Sequence, residues 1–402
     1  MGLIVSTFKH LPVLPEDPIL GLADTYARDI RNNKIDLGIG IYKNSDGHTP
    51  ILESVQAAEY WLLENQSSKA YIGSEGLPAF NHAMLNLVFA GGPAPLRVDQ
   101  YAAVQTPGGT GALRLMAEFL KRTRVQKILI PVPTWAIHEE IFKRAGIIVQ
   151  SCAHLTVEGD FNLHALLEGL EALSQGDAVL LHACCHNPTG IDPNEEQWRS
   201  ILEVIGRKEL LPLFDMAYQG FGAGLEQDSW ALRLFCAELP EVMASVSCSK
   251  NMGIYRERTG ALLISCSEAS VLKAVKSQII DTARCLWSMP PAHGGAVVAH
   301  ILNTPALALQ WRSEVLDMGE RIKTLRAGLG EALRKIDAYD AFKNIERQKG
   351  MFSYLNQTPA YVNYLRENSA IYLVGNGRIN ISGLPIDRLE EVATALKNGL
   401  RA

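Results

Sequence analysis

The chain has 402 residues, 47% of them hydrophobic and 20% charged, a balance that fits a soluble globular protein with a sizeable core and, by length, two domains. A net charge of −5 without a long basic run argues against nucleic-acid binding, and no apolar run approaches a membrane span. The seven cysteines lack metal-ligand spacing and read as reduced core thiols, so the protein is expected to be cytoplasmic. At the start, Met1-Gly2-Leu3-Ile4-Val5-Ser6 matches the short N-myristoylation pattern, which chance often produces, and its apolar part is too short for a secretory signal. From about residue 102 to 267, short apolar runs alternate with helical periods. Candidate strands lie at 127–131, 147–151, 178–182, 211–215, 242–247 and 261–266, and their near-continuous apolar character suits strands covered on both faces. Between them, Leu113, Met116 and Leu120, and later Leu163, Leu166, Leu167 and Leu170, fall at helical spacing.

This alternation predicts an α/β fold with a mainly parallel central sheet flanked by helices, whose ligands gather beyond the carboxyl ends of the strands. His182, Asp215 and Ser247 stand at such ends, and the adjacent Cys184 and Cys185 are read as part of a buried strand end. After Pro305 a long helical pattern runs to about Lys335. Short apolar runs follow at 350–354 and 370–374, and a helical stretch covers 386–400. These form a smaller α/β domain, with which the first forty-odd residues are expected to pack. The predicted division is 1–45 as N-terminal arm and part of the small domain, 46–310 as the large domain, and 311–402 as the small C-terminal domain.

Lys250 carries the chemistry. It ends the apolar run Val242–Val246 through the polar cluster Ser247-Cys248-Ser249, and Arg258 follows eight residues on. A lysine at the end of a buried strand is costly without a partner. An aldehyde cofactor would supply one through a Schiff base, and pyridoxal phosphate also needs an anion cradle and a carboxylate facing its ring nitrogen. The run Thr106-Pro107-Gly108-Gly109-Thr110-Gly111 opens onto the helix of Leu113, a place where backbone N–H groups receive a phosphate. Read alone, a glycine-rich helix start without a ligand is as common; Ser247 and Arg258 would complete a cradle. Asp215 ends the run Leu211-Pro212-Leu213-Phe214-Asp215 with Tyr218 three residues later. By itself it reads as a strand-end cap. With the cofactor it reads as the partner of a protonated ring nitrogen, and Tyr218 would reach the ring hydroxyl.

The stretch His182-Ala183-Cys184-Cys185-His186-Asn187-Pro188-Thr189-Gly190 is a strand end leading into a turn. Its Asn187 is either turn chemistry or a donor to the ring hydroxyl. His182 and His186 lack an acidic or cysteine set at familiar spacing to complete a metal site, and no metal is expected. Trp135, just before a helix, is either core or a platform for the ring. Arg284 and Arg378 are surface charges or carboxylate receptors.

Taken together and in order, these motifs resemble the aspartate and aromatic amino-acid aminotransferases, the class I group of fold-type I pyridoxal-phosphate enzymes. The resemblance runs from Asp17-Pro18-Ile19-Leu20-Gly21-Leu22 to Arg378. It includes Leu37-Gly38-Ile39-Gly40-Ile41-Tyr42, Gly108-Gly109-Thr110-Gly111-Ala112-Leu113-Arg114, His186-Asn187-Pro188-Thr189-Gly190, Asp215-Met216-Ala217-Tyr218-Gln219-Gly220-Phe221, and Ser247 through Arg258. It implies that Lys250 bonds the cofactor and shuttles the proton. Asp215, backed by His138, would hold the ring nitrogen, and Asn187 and Tyr218 the ring hydroxyl. Gly109, Thr110, Ser247 and Arg258 would hold the phosphate, and Trp135 would stack on the ring. Arg378 would take the substrate α-carboxylate, with Gly40 against the substrate. It further implies a homodimer with shared sites, in which Tyr71 reaches the phosphate and Arg284 a distal carboxylate from the other subunit. The implied reaction is ping-pong transamination between amino acids and 2-oxo acids, with 2-oxoglutarate as the second acceptor.

Lys43, Thr49, Thr110 and Arg284 match aspartate-preferring bacterial members. Ala70 and Met289 stand where asparagine is common, and Ile137 replaces another polar neighbour, so the pocket wall is expected to be more apolar and to admit aromatic side chains beside dicarboxylates. A lyase or decarboxylase on the same scaffold is the rival reading, since fold and cofactor do not fix which bond breaks. A non-catalytic amino-acid sensor is more distant, because Lys250, Asp215 and both arginines are intact.

Overall fold

A computed structural model of the chain describes residues 7–14, 18–89 and 99–401; the N-myristoylation pattern at 1–6 and Asp17 lie outside the described residues. The strands, in chain order, are β1 (Ile35–Asp36), β2 (Tyr101–Pro107), β3 (Lys127–Val132), β4 (Ile148–Ala153), β5 (Ala178–His182), β6 (Leu211–Met216), β7 (Glu241–Ser247), β8 (Thr259–Cys266), β9 (Phe352–Tyr354), β10 (Ile371–Tyr372) and β11 (Arg378–Asn380). Seven of them form the central sheet in the order β2-β8-β7-β6-β5-β3-β4. The pairs from β7 through β4 are parallel, and β8 runs antiparallel to both β7 and β2. The fold is therefore α/β with a mostly parallel sheet, as expected. β2 was not among the expected strands, because its run Tyr101–Pro107 carries Gln105 and Thr106 in its buried middle.

The apolar runs serve both faces. Along each strand successive side chains alternate between two separate cores: Leu213 and Met243 join one, Phe214 and Ala244 the other. The first core is closed by the helix Gly108–Leu120, which buries Ala112, Leu113, Leu115, Met116 and Leu120. On the other side, the helix Glu195–Lys208 buries Trp198, Ile201 and Ile205. It is fixed at its start by a capping box between Asn194 and Gln197, with Glu195 and Glu196 in its first turn and Arg207 and Lys208 in its last.

The long helical pattern after Pro305 is one helix, Pro305–Lys335, with proline in its first turn and Trp311, Val315, Met318, Ile322, Leu325 and Leu329 buried at three- and four-residue steps. Two small sheets accompany it. β1 pairs in parallel with β10, and β9 pairs antiparallel with β11, setting Arg378 opposite Tyr354 and Asn380 opposite Phe352. The C-terminal helical stretch is a 3₁₀ turn, Ile386–Arg388, followed by the helix Leu389–Gly399. Cys184 and Cys185 do not belong to the strand end: β5 stops at His182, and Cys185 takes a left-handed φ of 51° in the turn beyond it.

Candidate active site

The carboxyl ends of the parallel strands converge on one cavity lined by Gly109, Thr110, Trp135, Asn187, Asp215, Tyr218, Ser247, Lys250 and Arg258. Arg258 comes from a different direction. It precedes β8, and because β8 is antiparallel, its beginning lies at the same edge where β6 and β7 end. A larger cavity of about 780 Å³ opens at the opposite edge, among Leu211, Leu239, Val242 and Ile264. Its Arg122 is paired with Asp281 at 2.8 Å, and among the described residues no set of reactive side chains converges there.

Asp215 is buried, which alone would raise its carboxyl pKa. The hydrogen bond from His138 Nε2 at 3.1 Å and the nearby positive charge outweigh burial and hold it below its ordinary value. His138 is itself oriented by Thr134 Oγ1, 2.8 Å from Nδ1, so the network is satisfied with Nδ1 accepting and Nε2 donating. Burial pushes the Lys250 amine down to about 8; the Asp215 charge opposes this, and Arg258 and Arg378 add to it. None of these influences is a hydrogen bond, and Nζ lies 5.0 Å from the centre of the Tyr218 ring. The buried Tyr218 hydroxyl is pushed well above its usual range.

A test follows for the protein freed of any cofactor. Below pH 8 the Lys250 amine is protonated and inert; above it, the neutral amine reacts. Pulsed acetylation of Lys250, read by mass spectrometry across pH, is expected to show a midpoint near 8. Arg258→Gln should move that midpoint upward by removing a cation. A midpoint near the ordinary lysine value of 10.5 would contradict the geometry.

The glycine-rich turn packs closely on Arg258 and Ser247. A Cβ on Gly108, whose φ is 69°, would lie 2.7 Å from Arg258 Nη2, and one on Gly109 would lie 3.2 Å from Ser247 Cβ. Ser245 Oγ donates to the Gly109 carbonyl at 3.1 Å, tying β7 to the start of the helix. Ser247 Oγ accepts the Ser249 N–H at 3.2 Å, and Arg258 Nη1 donates to Ser249 Oγ and Tyr255 O at 3.4 and 3.2 Å.

Arg378, at the start of β11, is buried. Its Nη2 donates to Gly38 O at 2.7 Å and its Nη1 to Asn187 Oδ1 at 3.3 Å, while its Nε is buried without a protein partner among the described residues. With Asn187 Oδ1 engaged, the Asn187 amide nitrogen is left to donate. The Arg378 guanidinium lies 4.2 Å from the centre of the Phe352 ring, and a Cβ on Gly40 would approach the same ring to 3.2 Å. The half-buried Trp135 meets His138 edge-on at 5.2 Å.

Tyr71 and Arg284 are not part of this cavity in one chain: both are exposed, Tyr71 at 93%. They share one surface, because the Ile72 N–H donates to Met289 Sδ at 3.4 Å, and Met289 lies in the turn after the helix that carries Arg284. Ala70 and Ile137 are also exposed. Lys43 pairs with the buried Asp36 at 2.9 Å, and Thr49 Oγ1 donates to Tyr42 O at 2.9 Å.

The structure adds residues that the sequence did not single out. Thr134 orients His138, Phe352 underlies Arg378, and Asn380 Nδ2 holds the Gly40 loop through Ile39 O and Ile41 O at 2.8 and 2.7 Å. Ser245 had a readable signal, since it stands two residues before Ser247 and shares its face of β7. His182 and His186 come together at 4.1 Å between ring centres. Among the described residues, side chains whose ligand atoms converge are His138 with His182 and Asp215, and Cys184 with Cys185 and Asp228.

A family profile described as "Aminotransferase class I and II" matches residues 32–396. The chain is 48% identical over 394 residues to the aromatic-amino-acid aminotransferase of Pseudomonas aeruginosa, covering 98% of each chain. It is 42% identical over 391 residues to the aspartate aminotransferase of Escherichia coli, covering 97% of this chain and 99% of that one. Among solved structures, an aromatic-amino-acid aminotransferase from Burkholderia pseudomallei, covalently bound to pyridoxal phosphate, matches with a TM-score of 0.94 at 38% identity, over 98% of this chain and 100% of that one. On this agreement of fold, site geometry and sequence, the chain belongs to the class I and II aminotransferases.

Proposed function

We propose that the protein transfers amino groups between amino acids and 2-oxo acids by ping-pong chemistry, with aspartate and aromatic amino acids as donors and 2-oxoglutarate as acceptor. The observation that carries this reading is the Lys250 amine, buried without a hydrogen bond and with its pKa drawn down, in one cavity with the Asp215–His138 pair. Pyridoxal 5'-phosphate fits the residues present. The Gly108–Gly109 turn packs directly on Arg258 and Ser247, where a side chain would crowd both, and Gly109, Thr110, Ser247 and Arg258 line the cavity together. Bound there, it supplies an aldehyde that condenses with amines and an electron-poor ring that takes up charge released at the substrate α-carbon.

Gly109, Thr110, Ser247 and Arg258 would hold the phosphate, Trp135 the ring face, and Asn187 and Tyr218 the ring oxygen. Asp215, kept anionic by His138, would hold the proton on the ring nitrogen. Arg378 binds the substrate α-carboxylate, with Gly40 beside it. Lys250 Nζ would serve as the base that takes the α-proton and the acid that gives it back. No support for a lyase or decarboxylase comes from relatives named as aromatic-amino-acid and aspartate aminotransferases.

The finer parts of the reading rest on surface and topology. Tyr71 and Arg284, exposed on one surface, would complete the site of a second copy in a homodimer. The exposed Phe8, Leu11, Leu14, Tyr60 and Leu63 offer apolar area for such contact. Pairing of β1 with β10 supports grouping 1–45 with 311–402 as the small domain around the large domain 46–310. Among the described residues no helix is long and apolar enough to cross a membrane, which is compatible with a cytoplasmic enzyme.

Ala70, Ile137 and Met289 would give the distal pocket apolar walls beside Arg284. Both aspartate and phenylalanine or tyrosine are therefore expected to convert the cofactor in single-turnover half-reactions and to turn over with 2-oxoglutarate. Activity with aspartate alone would remove dual specificity. Release of carbon dioxide or pyruvate in place of the donor's own 2-oxo acid would remove transamination itself.

A further inference from the structure

Arg326, on the helix Pro305–Lys335, is 5% exposed, and a guanidinium so deeply buried ordinarily faces a carboxylate. Arg326 faces oxygens of another kind. Its Nη1 donates to Ile345 O at 3.0 Å and to Ser353 Oγ, and its Nη2 donates to Gly350 O at 2.5 Å and Phe352 O at 3.2 Å. Burial lowers its pKa only to about 10, so it stays charged at neutral pH and these bonds are charge-assisted. Three of the four acceptors come from the single stretch 350–353.

That stretch carries the floor of the carboxylate site. The Phe352 ring lies under the Arg378 guanidinium at 4.2 Å and meets the Tyr218 ring edge-on at 5.5 Å. Its backbone is β9, and the partner strand β11 begins with Arg378. On the other side it presses on the turn that presents Asn187. A Cβ on Gly350 would fall 2.4 Å from Cys185 Cβ, one on Gly190 would fall 2.8 Å from Phe352 O, and the Lys349 N–H donates to Gly190 O at 2.6 Å. A segment packed this tightly has one seat, and Arg326 ties it there from behind.

We propose that Arg326 is a positioning residue for carboxylate recognition: by gathering Gly350, Phe352 and Ser353 it fixes both the ring beneath Arg378 and the strand from which Arg378 projects. The proposal rests on the reading of Arg378 as the substrate carboxylate receptor. Two parallel bonds to a carboxylate need a guanidinium plane held in orientation. Gly38 O, Asn187 Oδ1 and the Phe352 face supply that hold here, and the last of them depends on Arg326.

The test is equilibrium binding of the unreactive acids succinate and 3-phenylpropionate to the cofactor-loaded enzyme by calorimetry, in a double-mutant cycle. Arg326→Lys, which keeps the charge but loses the planar fork, is expected to weaken both acids about tenfold. KM should rise in step, and kcat should change by less than about twofold. In an R378K background the same change at position 326 is expected to have no further effect. Phe352→Leu, which leaves the four Arg326 bonds in place, should reproduce the loss and the dependence on Arg378. If Arg326→Lys does not fold, Ser353→Ala and Phe352→Leu carry the same cycle. Unchanged binding, or equal weakening with and without Arg378, overturns the proposal. Full binding in R378K alone overturns instead the reading of Arg378.

Discussion

Replacing Lys250 with methionine is expected to lower turnover by about 10⁴-fold or more, at the upper end of what a proton-transferring group contributes, while leaving the protein folded. Two proposed roles would vanish together: the amine that bonds the aldehyde and the base that moves the α-proton. Methionine has nearly the same length, so the cavity beside Tyr218 and Asp215 is not emptied. Stability should not fall, because the substitution removes a buried amine that has no hydrogen bond to offset its desolvation. Thermal unfolding of the cofactor-free proteins checks this. Single-turnover absorbance with aspartate checks the chemistry, and added methylamine should restore part of the proton transfer. Activity in Lys250→Met above about 1% of wild type would mean that another group moves the proton.

The second large effect is expected at Asp215. Asp215→Asn keeps the shape and an oxygen for His138 but loses the charge proposed to retain a proton on the ring nitrogen. A loss of about 10³-fold in kcat is expected, the scale of removing one preorganised electrostatic contact. Removing the support instead, by His138→Phe, takes away a single hydrogen bond to a charged group and should cost about tenfold.

The same pair predicts a pH dependence of stability. The folded carboxyl has a depressed pKa, so its contribution is fully present above its ordinary value of 3.8 and is lost as pH falls through the folded value. Acid unfolding of wild type should therefore steepen below about pH 4, and Asp215→Asn should flatten that part of the curve. Equal acid sensitivity in both proteins would show that the carboxylate does not gain from His138.

Much of this was legible along the chain because one rule served fold and site together. Apolar runs marked the parallel strands, and the strand ends His182, Asp215 and Ser247 marked the edge where chemistry gathers. Glycines and polar clusters at those ends pointed to residues that line the cavity. What remained hidden depended on contacts between segments far apart in sequence. Thr134 reads as turn chemistry until His138 is seen on it. Nothing local sets Phe352 apart until Arg378 lies over it, or Arg326 until three acceptors from one stretch turn toward it. β2 was missed because Gln105, although buried, donates its amide to Pro291 O and accepts from Leu77 N, partners that a local apolar pattern cannot reveal.

The reversal of β8 has a consequence for how this scaffold tolerates change. The connection from Ser247 to Thr259 leaves the ligand edge and returns to it, bearing Lys250 near one end and Arg258 near the other. Lys250 and Arg258, which both line the cavity, are thus strung on one loop, and adding or deleting a residue within it would misplace both at once. The outer helices should tolerate changes of length better than this short stretch, which would be the gauge that keeps the two ends of one bound molecule in step.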